Sequence, residues 1–352
     1  MKTEPRPVRA EHVEQRGPAD VNDPAAAGCA DAHALLVEVI AAQSARPSPV
    51  LLDQVAETVT ARFGASLQAM LFYGSCLRSA DPTDGLVDVY ALVDDYRHAY
   101  PQRYLRVFNS VLPPNVFYME CPLAARLPGG SPPENARLRI KCTVLSLAAF
   151  ERGTRHWFHS YLWGRFAQPA RIVRVRDESA RRRVNEALAG AVLTFQRRSI
   201  PCLSGAFTAE ALWTEGLRRC YAAELRVEGN GRATRLVADG LADYQARTQA
   251  SALLLGLQLV EGGQYRRVPA TTRSAALLAG GAWAVRRWQG RILSILRLVK
   301  SAGTFKGGVD YVAWKIERHS GVHIEVTPRL RRHPLIYGWG VLFRLLRKEV
   351  LK

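Results

Sequence analysis

Two apolar runs, LQAMLFY (67–73) and LVDVYALVD (86–94), constrain the fold more than any other feature of the chain. Both are of strand rather than helix length, and both read as buried strands. The first stops at Gly74-Ser75, and the second carries Asp88 into its apolar stretch. Ser75 can cap a short helix that Pro82 and Gly85 then break. A strand ending in Gly-Ser at the mouth of a helix suits a phosphate. Glycine lets the anion approach the backbone, and the N–H groups of the helix start point at it. Asp88, brought alongside by the second strand, would share a magnesium ion with that phosphate. The alternative is an ordinary turn followed by an edge carboxylate.

Strand alternation places Asp88, Tyr90, Leu92 and Asp94 on one side. Asp94 lies roughly 20 Å from Asp88 at ~3.3 Å per residue, too far to share a metal. A second ligand has to come from elsewhere, and Glu120, at the end of the VFYME strand, is the candidate. A solvated strand-end glutamate is the other reading.

Further along, NVFYMECPL (115–123) and ARLRIKCTVLSL (136–147) read as two more strands across LPGGSPPEN. Ser48-Pro49 predicts the start of a helix over 49–63 that closes at Gly64. A helix is also expected over 97–110. Beyond Ser146 the pattern turns helical, with long helices over 178–198, 207–227, 233–259 and 272–300 and a short basic region near 262–270. Residues 1–45 read as a disordered or linker arm. The expected organisation is an α+β domain over 46–175, a helical domain over 176–270, and a basic C-terminal region over 271–352.

The net charge of +18 on 352 residues favours a polyanionic partner, and it is concentrated late in the chain. Between Arg286 and Lys352 there are 15 Lys/Arg against 4 Asp/Glu. In HPLIYGWGVLFRLLRKEVLK, Trp339, Leu342, Phe343, Leu346 and Val350 recur at helical spacing, with Arg344, Arg347, Lys348 and Lys352 mostly opposite. Such a face suits an anionic membrane surface, or else docks on the protein core. The six cysteines have no C-x-x-C spacing, which argues for free thiols in a reducing compartment. No signal-like segment or bilayer-length apolar run is found, so a soluble or peripheral protein is expected. The histidines suggest no metal site.

With these residues in view, the chain resembles the mitochondrial translocator assembly and maintenance family, the peripheral CDP-diacylglycerol synthases, or phosphatidate cytidylyltransferases. The family's Y-G-S-G is matched by Tyr73-Gly74-Ser75 with Cys76 following. Its D-x-[IV]-[FY]-x-V-D-D strand is matched at Asp88, Tyr90, Val93, Asp94 and Asp95. Its K-Y-G-V-[IV]-S strand looks like Lys141 to Ser146, and its L-Y-x-A-G-R segment looks like Tyr161 to Pro169, including Arg165. A later S-A-G…Y…K resembles Ser301-Ala302-Gly303, Tyr311 and Lys315. The W-H-x-x-N segment is replaced, with only His98 and Asn109 as counterparts. The resemblance implies a nucleotidyltransferase, polymerase β-like mixed sheet with helices, followed by a winged-helix-like helical domain, in a distant, bacterial member.

The activity so implied joins CTP and phosphatidate, giving CDP-diacylglycerol and pyrophosphate with Mg2+. Asp88 would hold the metal with Glu120 as second ligand, while Tyr73, Gly74, Ser75 and Tyr90 would line the nucleotide site. Lys141 and Arg165 would neutralise phosphate; their plainer readings are a snorkelling strand lysine and a locally paired arginine. Nucleotidyltransferases usually carry a second aspartate where this chain has Tyr90. A phosphate nucleophile is already ionised, so a reduced carboxylate set is chemically tolerable. The alternatives are a nucleotidyltransferase acting on RNA, for which the terminal apolar face is less suited, or an inactive nucleotidyltransferase-like membrane module.

Overall fold

The structure is a computed structural model that describes residues 24–73, 86–123, 137–224, 231–302, 325–332 and 340. Its centre is a mixed sheet of β1 (Leu67–Phe72), β2 (Leu86–Val93), β3 (Asn115–Pro122), β4 (Arg137–Ser146) and β5 (Arg171–Val175). The order is β3-β4-β2-β1-β5. β2 runs parallel to β4, and the other neighbouring pairs are antiparallel. The four strands read from the sequence lie within two residues of their expected limits. β5, with the pattern RIVRV and no fully buried position, was not anticipated.

The apolar runs bury both faces of the sheet. Val87, Val89, Ala91 and Val93 join Met70, Phe72, Ile140 and Val144 on one side, beneath α2 (Leu51–Phe63). On that side lie also α3 (Tyr96–Ala99) and α4 (Arg103–Val111), which contribute Ala99 and Leu105. Pro101 separates these two short helices where one was expected, since it cannot continue a helical hydrogen-bond ladder. α2 begins at Leu51, two residues later than Pro49, and Val50 at its N-cap offers no side-chain bond. It closes as expected at Gly64, whose φ of 53° suits glycine and whose N–H donates to the Thr60 carbonyl.

Ala69, Leu71, Tyr90, Leu92 and Leu145 form the other face, which merges into the larger core. That core draws on α5 (Leu147–Arg155), α6 (Trp163–Phe166), α7 (Glu178–Ser199), α8 (Ala209–Ala222), α9 (Arg232–Asp239) and α10 (Leu241–Ser251). Short polar caps start several of these helices. Ser146, Asp177 and Thr208 each accept from the backbone N–H three residues on. The helix expected over 233–259 breaks at Gly240 and ends at Ser251, and the short turn that follows closes at Gly256, whose φ of 62° is left-handed. The basic region beyond it forms a hairpin of β6 (Leu257–Val260) and β7 (Gln264–Arg267).

The expected arm over 1–45 needs correction from residue 24 onward. Pro24–Ser44 forms a helix, α1, that buries Leu36 and Ile40 in the larger core. Long-range polar contacts pin its end. Ser44 Oγ donates to Asn185 Oδ1 at 2.9 Å, Arg171 donates to the Gln43 carbonyl at 2.9 Å, and Arg46 grips Asp243 with two bonds of 2.6 and 2.9 Å. The buried Arg247 donates to Gln43 Oε1 at 2.6 Å and to the Ala167 carbonyl. An alanine-rich stretch has strong helix propensity but little periodic signal, and partners far away in sequence supply its order.

α11 (Arg273–Ala302) then runs past the end of α8 and places Trp283 in the core. At Gly290 it approaches so closely that a Cβ would collide with the Ala223 carbonyl. A short helix, Pro328–Arg332, is also described. The amphipathic segment expected over 335–352 lies outside the described residues, apart from residue 340. So do Cys76, the LPGGSPPEN loop, Gly303, Tyr311 and Lys315.

Candidate functional site

Parallel pairing of β2 and β4 sets Asp88 directly against Lys141. Both lie on the sheet face that carries Tyr90 and Leu145, near the end where β1 leaves the sheet at Tyr73. Their side chains form an ion pair while staying about a third exposed, at 32% and 29%. Burial works against the Lys141 ammonium, but the Asp88 carboxylate outweighs it and holds the pKa above the usual lysine value. The sequence expectation for both residues rested on separate motifs; the register brings them together.

One step deeper, Tyr90 is buried and packs edge-on against Phe166 at 4.8 Å. Arg165 Nη1 donates to its hydroxyl at 2.6 Å, and Arg165 Nη2 reaches the Glu224 carboxylate at 2.9 and 3.2 Å. Desolvation drives the Tyr90 phenol well above its ordinary pKa, with Arg165 opposing. Burial also disfavours the guanidinium of Arg165, but Glu224 and the neighbouring phenols keep it charged. Its Nε has no hydrogen-bond partner. Tyr73 packs against Phe166 at 5.7 Å, and its hydroxyl accepts from Gln168 Nε2 at 3.4 Å. Gln168 also donates to the Gly164 carbonyl at 3.0 Å and accepts from Tyr221 at 3.1 Å, which fixes the segment that carries Arg165.

Sequence reasoning did not single out as site residues the groups that complete this cluster. Tyr161 lies between two guanidiniums, with Arg165 at 4.3 Å and Arg297 of α11 at 4.0 Å from its ring centre. Burial would raise the Tyr161 pKa; Arg165 and Arg297 overcome it and bring the phenol below its ordinary value. Arg297 donates through Nε to the Pro113 carbonyl at 2.8 Å, and burial lowers its pKa. Lys300, one turn on, donates to the Leu112 and Pro114 carbonyls, and burial pulls it down to about 7. The i, i+4 spacing of Tyr161 and Arg165 was visible in the sequence. Glu224 and Arg297 reach the cluster only through the packing of α8 and α11.

Other expected site residues lie elsewhere. Glu120 is not brought to Asp88: β4 separates its strand from β2. Its carboxylate accepts from the Tyr118 hydroxyl at 2.6 Å and lies 3.6 Å from Arg137. Asp94 holds Ser66 at 2.8 Å and His98 at 2.9 Å, and Asp95 caps α3 through the Arg97 N–H at 2.7 Å, so both have local structural partners. Asn109 is buried and ties Tyr100 and the Val144 carbonyl together at 3.0 Å each. Gly74 and Ser75 lie outside the described residues.

Among the described residues no group of three or more His, Cys, Asp or Glu could hold a metal. Asp88 therefore offers a single carboxylate near the exposed end of the cluster. Magnesium is commonly bound through one or two carboxylates with substrate phosphates and waters completing the shell. This donor set fits an ion that arrives with a nucleotide, not one caged by the protein. Compared with known proteins, the chain matches no family model and no curated sequence.

Proposed function

We propose that the protein is a magnesium-dependent cytidylyltransferase that converts CTP and phosphatidate to CDP-diacylglycerol and pyrophosphate at the membrane surface. The observation that carries this reading is the graded cluster on one sheet face: a half-open Asp88–Lys141 pair leading to Tyr90, Arg165, Tyr161 and Arg297. Among the described residues, the Lys141, Arg165 and Arg297 cations outnumber the Asp88 and Glu224 carboxylates that face them. Such an excess attracts phosphate and favours charge build-up on phosphoryl oxygens. The mixed sheet, with Asp88 and Lys141 on adjacent parallel strands, agrees with a nucleotidyltransferase core.

In the reaction, a phosphate oxygen of phosphatidate attacks the α-phosphorus of CTP. The bond between the α-phosphorus and the bridging oxygen breaks, and pyrophosphate leaves. The nucleophile is ionised at neutral pH, so Tyr90 is not required as a base; its high pKa suits a hydroxyl that stays protonated and orients Arg165. Lys141 and Arg165 neutralise the phosphates. Magnesium, held by Asp88 and the nucleotide, would supply further charge neutralisation. Asp88 must then exchange at least part of its contact with Lys141, which frees the ammonium for a phosphate oxygen.

The Asp88–Lys141 pair also supports a second reading, a nucleotide-binding module without turnover, in which the ammonium permanently fills the cation position. Labelled CTP offered with magnesium and either phosphatidate vesicles or RNA separates the readings. A lipid cytidylyltransferase should place label in lipid only. Label in RNA would replace the acceptor, and nucleotide binding with no transfer would favour the inactive module.

A further inference from the structure

We infer that the exposed face of α11 is a docking surface for anionic lipid, formed by Leu277, Leu278, Val285, Trp288, Ile292 and Leu296. This rests on the proposed function only for the identity of the lipid substrate; the surface itself is argued from α11. The helix has two apolar sides. One carries Trp283 into the core and, at Arg297 and Lys300, reaches the candidate site. The six residues lie on the other, where Leu277 is 70% exposed, Leu278 75% and Trp288 69%. At 3.6 residues per turn they fall within an arc of about 100°, the width of an amphipathic stripe. One helix does not need two such stripes to pack on a single core.

Charge selects the occupant. Over its whole length α11 contains no aspartate or glutamate. The exposed Arg273, Arg287 and Arg291 border one edge of the stripe. A tryptophan and aliphatic face beside arginines, on a helix without acids, is the pattern of a helix lying in the headgroup region of an anionic bilayer. No helix among the described residues is long and apolar enough to cross a membrane, so the contact would be interfacial. Deep insertion would strand the bordering guanidiniums, whereas a shallow pose lets them meet lipid phosphates.

The test uses the full chain in co-sedimentation with vesicles of phosphatidylcholine alone or with an equal part of phosphatidylglycerol. Wild type is expected to bind only the anionic vesicles, and less at high salt. Trp288→Ala with Ile292→Ser should lower partitioning by about tenfold or more, because interfacial affinity scales with buried apolar area. Arg287→Glu with Arg291→Glu should lower it comparably and weaken the salt dependence. A melting temperature equal to wild type would show that these variants fold. Turnover of a soluble short-chain phosphatidate should persist in the Trp288/Ile292 variant, so loss of docking is separable from failure of the proposed chemistry. Unchanged vesicle binding by both folded variants would overturn the inference. So would a wild-type dimer that the Trp288/Ile292 substitutions convert to monomer, since a second copy would then be the occupant.

Discussion

At Arg165 the polypeptide accepts a buried guanidinium, only 10% exposed, and balances it with Glu224 at 14%. Removing one partner of such a pair leaves the other charge desolvated, which costs more than the pair itself contributes. Arg165→Met is therefore expected to lower unfolding stability by about 3 kcal/mol in urea titration, and Arg165→Met with Glu224→Gln to recover part of it. His159 makes a different prediction. Burial, with Arg297 adding to it, pushes its pKa down to about 3, and its Nδ1 has no hydrogen-bond partner. The unfolded chain binds a proton there below about 6.5, while the folded chain does not until about 3. Stability should thus fall as pH drops through that window, by at most about 1.4 kcal/mol per pH unit from this group. His159→Gln should flatten that part of the pH profile, as read by thermal denaturation in a series of buffers.

At the scale of elements, close packing of α11 against the end of α8 positions Arg297. Gly290→Ala would drive a methyl group into the Ala223 carbonyl, a backbone atom that cannot rotate away. The expected cost is about 1–3 kcal/mol in urea denaturation, as for overpacking elsewhere. The strands were legible because buried strands are short and apolar, and Asp88 meets Lys141 in the parallel register of β2 and β4. Element ends were legible where chemistry is local, as at Gly64 or Ser146. What remained hidden depends on distant partners. α1 is ordered by Asn185, Asp243 and Arg247, each well over a hundred residues away. Glu224 and Arg297 join Arg165 and Tyr161 through helix packing that no local spacing announces.

Across the whole molecule, the larger core runs without interruption from Leu36 of α1 through Tyr90 and Leu92 of the sheet to Leu257 and Trp283. The sheet region and the helices after residue 176 share that core, so they are expected to unfold together. Calorimetry should give one cooperative transition; two separated transitions would mean that 46–175 and 176–270 fold independently. The same continuity lets α11 present an apolar face outward and Arg297 inward. If Asp88, at the exposed end of the cation-rich cluster, supports nucleotidyl transfer to a lipid phosphate, turnover must need its carboxylate. Pyrophosphate release from CTP, magnesium and phosphatidate vesicles, compared for wild type and Asp88→Asn, tests it most directly. Wild type should release pyrophosphate and the variant at least about a hundredfold less, because its carboxamide can neither pair with Lys141 as an anion nor hold the ion as a carboxylate does. Equal release by both proteins, or none by folded wild type that still binds CTP, would contradict it.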